Sequence, residues 1–241
     1  VHQGYLQYGN DLFTAKLGRQ LITYDNHRFI GNVGWRQDQQ TFDAVTLTAT
    51  PIEGLNLSYN YIDERERIFA EDADIDSEDH LFHAAYDTPI GTLTGYAYLL
   101  ELQDGPDNSL DTYGLRLSGS REINGLDMSY LLEYADQESD TSGGLDFDAD
   151  YYLVEGGVTL NRVNVRIGYE VLGSDDGDYG FATPLATLHA HNGWGDQFLG
   201  TPAEGLEDTY LNLSGQAFSG NWSVVYHEFD ADDDSPLVDD F

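Results

Sequence analysis

The stretch Gly18–Ala44, GRQLITYDNHRFIGNVGWRQDQQTFDA, opens in one strand-like run, Leu12 to Tyr24, and closes in another, Phe42 to Thr50. It sets Phe29, Ile30, Val33 and Trp35 among Arg28, Arg36, Gln37, Gln39 and Gln40. A connection that meets only solvent has little use for so many large apolar side chains. An apolar core has no place for so many guanidiniums and amides. A loop folded back into a polar cavity satisfies both demands, because its aromatics pack while its polar groups form hydrogen bonds.

The rest of the chain supplies such a cavity. Leu55, Leu57, Tyr59 and Tyr61 alternate with Asn56, Ser58 and Asn60. The same two-residue period runs through Tyr113, Leu115 and Leu117, through Leu126 to Tyr134, and through Val163 to Val171. Period two over such lengths is the strand signal, and no segment has a convincing helical period. Short turns fall at Gly9–Asp11, Pro51–Gly54, Thr88–Gly91, Glu122–Gly125, Asn161–Arg162 and Ser219–Asn221. Long connections fall between them, at Asp25–Thr41, Arg65–Glu78, Gln103–Leu110, Asp136–Asp146 and Gly173–Gly205, and again from Ala231 onward. Strict alternation of short and long connections is the rhythm of an up-and-down barrel, and a Greek-key sandwich has no reason to keep it. The expected fold is all-β: one antiparallel transmembrane β-barrel domain over residues 1–241, with loops 25–41 and 173–205 folded into the lumen. About twelve strands are expected here, each near the ~10 residues that cross a bilayer at a tilt, and about 14–18 when complete. The last acidic connection is followed by no alternating strand, so at least a closing hairpin is expected beyond it.

Composition bounds the partners. Forty-four acidic residues against ten basic ones give a net charge of −34. This excludes nucleic acid, whose phosphates need clustered Lys and Arg. There is no Cys, and no run of about 18 apolar residues that would make a transmembrane helix. Seventeen Tyr and eleven Phe suit a barrel with aromatic belts at its interfaces. Val1–Asn10 lacks a basic start and an apolar core, so the chain reads as mature or trimmed at the front.

A second stretch, Phe181–Tyr210 (FATPLATLHAHNGWGDQFLGTPAEGLEDTY), joins the opening one. Together they resemble the signature of the alginate-export-type porins of the Gram-negative outer membrane, and cover about a quarter of the chain. The resemblance implies a cell outer membrane location, a lipid and lipopolysaccharide environment, and basic pore side chains that guide an acidic polysaccharide. Only Arg19, Arg28 and Arg36 fall inside the matching motif, and no Lys or Arg follows Arg166. That departure leaves the cargo open among sugars, oligosaccharides and small organic ions.

The residues expected at a constriction or pore lining are Arg19, Arg28, Trp35, Arg36, Gln37, Gln40, Arg116, Arg166, His189, His191 and Trp194. Arg116 and Arg166 enter because they lie on the polar faces of strands. The competing role for each Arg is to pair with a carboxylate, such as Glu133 or Glu170, and stiffen the wall. His189 and His191 lack a third ligand for zinc, which leaves packing and hydrogen bonding. Asp72, Asp74 and Asp76 have the spacing of a calcium loop without its Gly and bidentate Glu. No cofactor is expected beyond loosely held Ca²⁺. No catalytic signature is present, so the chain reads as a passive channel for small hydrophilic or saccharide solutes, not an enzyme. The alternative is a secreted acidic β-rich adhesin or carbohydrate-binding protein. The oligomeric state is not legible.

Overall fold

The computed structural model describes residues 2–34, 39–68, 74–101, 109–141 and 144–233. Twelve strands form one antiparallel sheet in chain order: β1 (Gly4–Gly9), β2 (Phe13–Gln20), β3 (Thr41–Ile52), β4 (Leu55–Glu66), β5 (Ile75–Thr88), β6 (Gly91–Glu101), β7 (Ser109–Ile123), β8 (Leu126–Asp140), β9 (Asp146–Leu160), β10 (Val163–Leu172), β13 (Leu206–Ala217) and β14 (Gly220–Asp230). A separate two-stranded ribbon, β11 (Ser174–Asp175) with β12 (Tyr179–Gly180), opens the long connection between β10 and β13. Among the described residues, the only helical element is a single 3₁₀ turn, Leu188–Ala190.

The two-residue period sorts the sheet into two faces. Outward, the strands β4 to β10, β13 and β14 present Leu57, Phe82, Leu93, Leu115, Leu132, Val154, Ile167, Leu211 and Val224, all exposed. One step closer to the long loops lie exposed Tyr113, Tyr134, Tyr152, Tyr169 and Tyr226. Aliphatic residues with a tyrosine girdle make a lipid-facing band. The inward face carries buried Asn60, Asp79, Thr94, Tyr96, Thr112, Arg116, Glu133, Gln137, Glu170 and Asp208. These polar side chains are dry because the long loops cover them.

The connections at one end are tight. At the β7–β8 turn, Asn124 and Gly125 have φ of 54° and 80°, as a two-residue hairpin turn of the I′ type needs. The β13–β14 turn makes the same demand of Phe218 (φ 50°) and Ser219 (φ 65°). Left-handed backbone costs an L-residue other than Asn or Gly about 1–2 kcal/mol. Replacing the pair by Asn-Gly should therefore stabilise the protein by about 1–2 kcal/mol. Denaturant unfolding in detergent micelles, followed by tryptophan fluorescence, checks this, and an unchanged midpoint refutes it.

At the other end the strands run further than the sequence suggests. The expected loop Asp136–Asp146 shrinks, because β8 continues to Asp140 and β9 starts at Asp146. Asp136, Glu138 and Asp140 stand opposite Asp150, Asp148 and Asp146. Alternation persists there with carboxylates in the outward positions, so the hairpin projects past the apolar band into water. The expected loop Arg65–Glu78 shortens likewise, since β4 reaches Glu66 and β5 starts at Ile75.

Curvature follows from what one loop touches. The segment after β2 is folded on itself, the Tyr24 amide donating to the Ile30 carbonyl (3.0 Å) and the His27 amide to the Tyr24 carbonyl (2.9 Å). Its Tyr24 hydroxyl meets Ser58 on β4 at 2.6 Å, and its Arg28 meets Glu170 on β10 at 2.7 Å. In a flat sheet those strands would stand about 29 Å apart. The sheet therefore wraps around the loop, and the hydrophobic core lies inside the wrap. That core gathers Ile22, Ile30, Phe42, Ile62, Leu81, Tyr151, Phe181 and Leu185, among others.

Candidate functional site

The inner loop turns sharply, with Asp25 and His27 in left-handed backbone (φ 49° and 64°). This turn delivers successive side chains to different strands. Tyr24 stacks on His83 of β5, 4.2 Å between ring centroids, and takes a hydrogen bond from the Asn60 amide. Asp25 pairs with His83 Nε2 at 3.0 Å and lies 3.8 Å from Arg116 Nε. Arg28 is buried, its Nε donating to Glu170 (2.7 Å) and its Nη2 to Asn192 Oδ1 (3.0 Å). Phe29 packs against Tyr96, Tyr98, Tyr151 and Phe181.

The long connection between β10 and β13 closes on that loop from the other side. The Gly31 amide donates to the Leu185 carbonyl at 2.8 Å. Thr187 Oγ1 accepts from the Asn32 amide (2.8 Å) and donates to the Asn32 carbonyl (2.7 Å). The Thr187 amide donates to the His27 carbonyl, and the Gln40 amide donates to the carbonyls of Gly31 and Leu185. Glycine is required at position 31, because a Cβ there would meet Thr187 Oγ1 at 2.2 Å and its backbone N at 2.6 Å. Gln137 clamps the same connection to the wall: its Oε1 accepts from Tyr179 and Ala182, and its Nε2 donates to the Ala182 carbonyl.

Charge inside the wrap is paired. Arg116 donates to Glu133 at 2.6 Å, and Tyr96 donates to the other Glu133 oxygen at 2.9 Å. Arg65 and Asp79 form a buried pair, Nε to Oδ2 at 2.7 Å. Glu170 accepts from Arg28, Tyr151 and Asn192. Asp208 is held by His227 and Asn192. Arg166 lies 3.5 Å from Glu155, which also accepts from Tyr210.

The expected site residues separate into groups. Arg28, Gln40, Arg116, Arg166 and His191 face the interior or the two loops within it. Arg19 does not, which corrects its expected place at the pore. It pairs with Asp43 across the register, on the face shared by exposed Leu17 and its partner Val45. There its guanidinium sits among Asp43 (2.8 Å), Glu64 (3.9 Å) and Glu66, three carboxylates close enough together to hold a cation. Burial at Gln20 and Ala44 fixes the phase that sequence alternation left ambiguous near Gly18. His189 pairs with exposed Asp196 at 2.6 Å, and Trp194 is 73% exposed. Trp35, Arg36 and Gln37 lie outside the described residues, as does Asp72. Of the calcium candidates, Asp74 accepts from the Arg67 amide, and Asp76 lies on β5.

Sequence reasoning missed Asp25, Tyr151, Thr187, Asn192 and Asp208. All but Tyr151 lie in the two marked stretches, yet nothing there singles them out, because their partners come from distant parts of the chain. Glu133 and Glu170 do appear as carboxylate partners, yet Glu170 takes Arg28 while Arg166 takes Glu155.

His191 yields a pH dependence. Burial and the nearby Arg28 push its imidazole down to about 4 from an ordinary value of 6.5. A depressed histidine keeps the packed loop neutral, while the released loop binds a proton below pH 6.5. The packed state therefore loses stability as pH falls from about 6.5 toward 4, on the order of 3 kcal/mol in all. Amide protection factors in residues 181–205, corrected for the intrinsic pH dependence of exchange, should fall over that window, and His191→Gln should abolish the change. Equal acid sensitivity in both proteins refutes it.

The model of the alginate export family matches residues 1–234. The chain belongs to the alginate export family. Its twelve strands belong to the wall of an outer-membrane β-barrel, and the paired loops lie on the inner side of that wall. No curated protein matches the sequence. Among solved structures, this alginate export family chain is similar to Acinetobacter baumannii OccAB4, with a TM-score of 0.68 at 14% identity over 92% of this chain and 58% of that one. It is similar to Pseudomonas aeruginosa OccD3 (OpdP), with a TM-score of 0.60 at 13% identity, covering 84% and 50%. A third is Pseudomonas aeruginosa OccK2 (OpdF) in complex with glucuronate, with a TM-score of 0.60 at 14% identity, covering 93% and 68%. The chain spans between half and about two thirds of the length of these structures.

Proposed function

We propose that this chain forms the wall and constriction of a passive, non-enzymatic channel for small hydrophilic solutes. The observation that carries this reading is the pair of loops inside the sheet, locked to each other through Asn32 and Thr187 and to the wall through Arg28 and Glu170. Loops so held inside the sheet would narrow the lumen that a closed barrel encloses. The glucuronate bound to OccK2 is a solute of the size such a channel passes. Lipopolysaccharide is the proposed neighbour at the outer rim.

Reconstitution in planar bilayers tests this. Discrete conductance steps are expected, with a weak cation preference at low salt. The carboxylate-lined β8–β9 hairpin concentrates cations within ~10 Å of the mouth at moderate salt. The preference should fade as salt rises. Absence of steps refutes the channel, and strong anion selectivity refutes the charge reading. A reagent added to intact cells should reach cysteines placed at 145–148 and not at 124–125.

A further inference from the structure

Beneath the paired loops lies a cavity of about 200 Å³. Leu153, Glu155, Arg166, Tyr210 and His227 line it from the wall, and Asn26 and His191 from the loops. Its charged groups already answer one another. Arg166 faces Glu155, Arg28 neutralises Glu170 behind it, and His227 bonds both oxygens of Asp208. An anionic solute entering here would face Glu155, Glu170 and Asp208, and a cationic one would have to displace the donors those carboxylates already hold, so either leaves a buried charge poorly answered, which is costly.

Neutral hydrogen-bonding capacity is nevertheless left over. His191 Nε2 is buried without a partner among the described residues. The Arg166 side chain remains 40% exposed, with five N–H donors to place. Hydroxyl groups both donate and accept, so a polyol can meet such a mixed lining without adding charge. The cavity is also kept open deliberately. Tyr210 lies flat over Gly168, where a Cβ would meet its ring at 2.2 Å, so any larger residue would drive the ring inward.

We propose that this cavity is a binding subsite for an uncharged polyhydroxylated solute of monosaccharide size. The proposal rests on the channel reading above and adds its solute class.

The test uses the full chain in proteoliposomes with D-glucose, D-glucuronate and D-glucosamine, which share one ring and differ in charge. Glucose should pass about tenfold faster than either charged sugar, the factor expected when one charge-assisted bond goes unanswered. Arg166→Gln leaves Glu155 without its guanidinium and should raise the glucosamine-to-glucose ratio about tenfold. The double variant Glu155→Gln/Arg166→Gln should restore the original order, which separates charge balance from misfolding. Gly168→Ala should slow glucose while ion conductance persists. Fastest passage of glucuronate or glucosamine in the unaltered protein overturns the subsite, as do ratios indifferent to Arg166→Gln. Ion conductance with equal rates for all three sugars also overturns the subsite and leaves the channel standing. A membrane that conducts nothing overturns the channel, and the subsite with it.

Discussion

Replacing Arg28 by alanine is expected to free the inner loop and widen the conducting path, with a loss of about 3–5 kcal/mol in stability. Glu170 would keep the bonds from Tyr151 (2.7 Å) and Asn192 (2.9 Å) but lose the guanidinium that faces it. A buried carboxylate left without its cation must take up a proton, admit water or move, and each route loosens the packing around Tyr151 and Phe29. Lysine should rescue poorly, since the arginine spans two partners, Glu170 through Nε and Asn192 through Nη2. The double replacement Arg28→Met/Glu170→Gln should cost less than Arg28→Ala, because no unpaired charge remains. Larger, noisier current steps and a lower denaturant midpoint are the paired readouts. If Arg28→Ala lowers the midpoint but leaves single-channel current untouched, the pair braces the wall and does not shape the path.

The second large effect belongs to Gly31. Alanine there would press on the Thr187 backbone nitrogen as well as its hydroxyl, and backbone cannot turn aside as a side-chain tip can. Overpacking of this kind costs about 1–3 kcal/mol. It should part the loops where Gly31 meets Leu185 and where Asn32 meets Thr187. Limited proteolysis should then cut within residues 181–205 while the strands stay protected. Thr187→Ala should not rescue Gly31→Ala, because the clash with the nitrogen survives. Full rescue would show that only the hydroxyl stands in the way.

The strand pattern was legible because alternation is local. Leu115 and Arg116 declare opposite faces of β7 through their neighbours alone, and the Asn124-Gly125 turn announces itself in two letters. The inward fold of the first loop was legible in kind, from the density of aromatics and amides around Phe29. Its partners were not, because Arg28 chooses Glu170 across 142 residues and no local pattern encodes that choice. Arg19 was misplaced for another reason. Its motif membership suggested the pore, while the strand phase that turns it outward is visible only once Gln20 and Phe42 are seen buried together. The acidic ends of β8 and β9 were read as loop because charge in a strand looks like solvent-exposed coil. The backbone pairing that makes them strand leaves no mark on composition.

The sequence distances in these contacts carry a consequence for assembly. Most wall strands pair with the next strand in the chain, so the sheet can grow by adding hairpins in order. The contacts that hold the interior join residues 142, 155 and 164 positions apart. Closing such long loops is entropically unfavourable until other contacts have already brought the ends together, so non-local contacts form late. Glu170 and Asn192 exist as a receiving surface only after β10 has zipped onto β9 and β13 onto β10. The interior is thus completed after its own container, and the aromatic faces of Phe29 and Phe181 wait uncovered until the last strands that receive them have arrived.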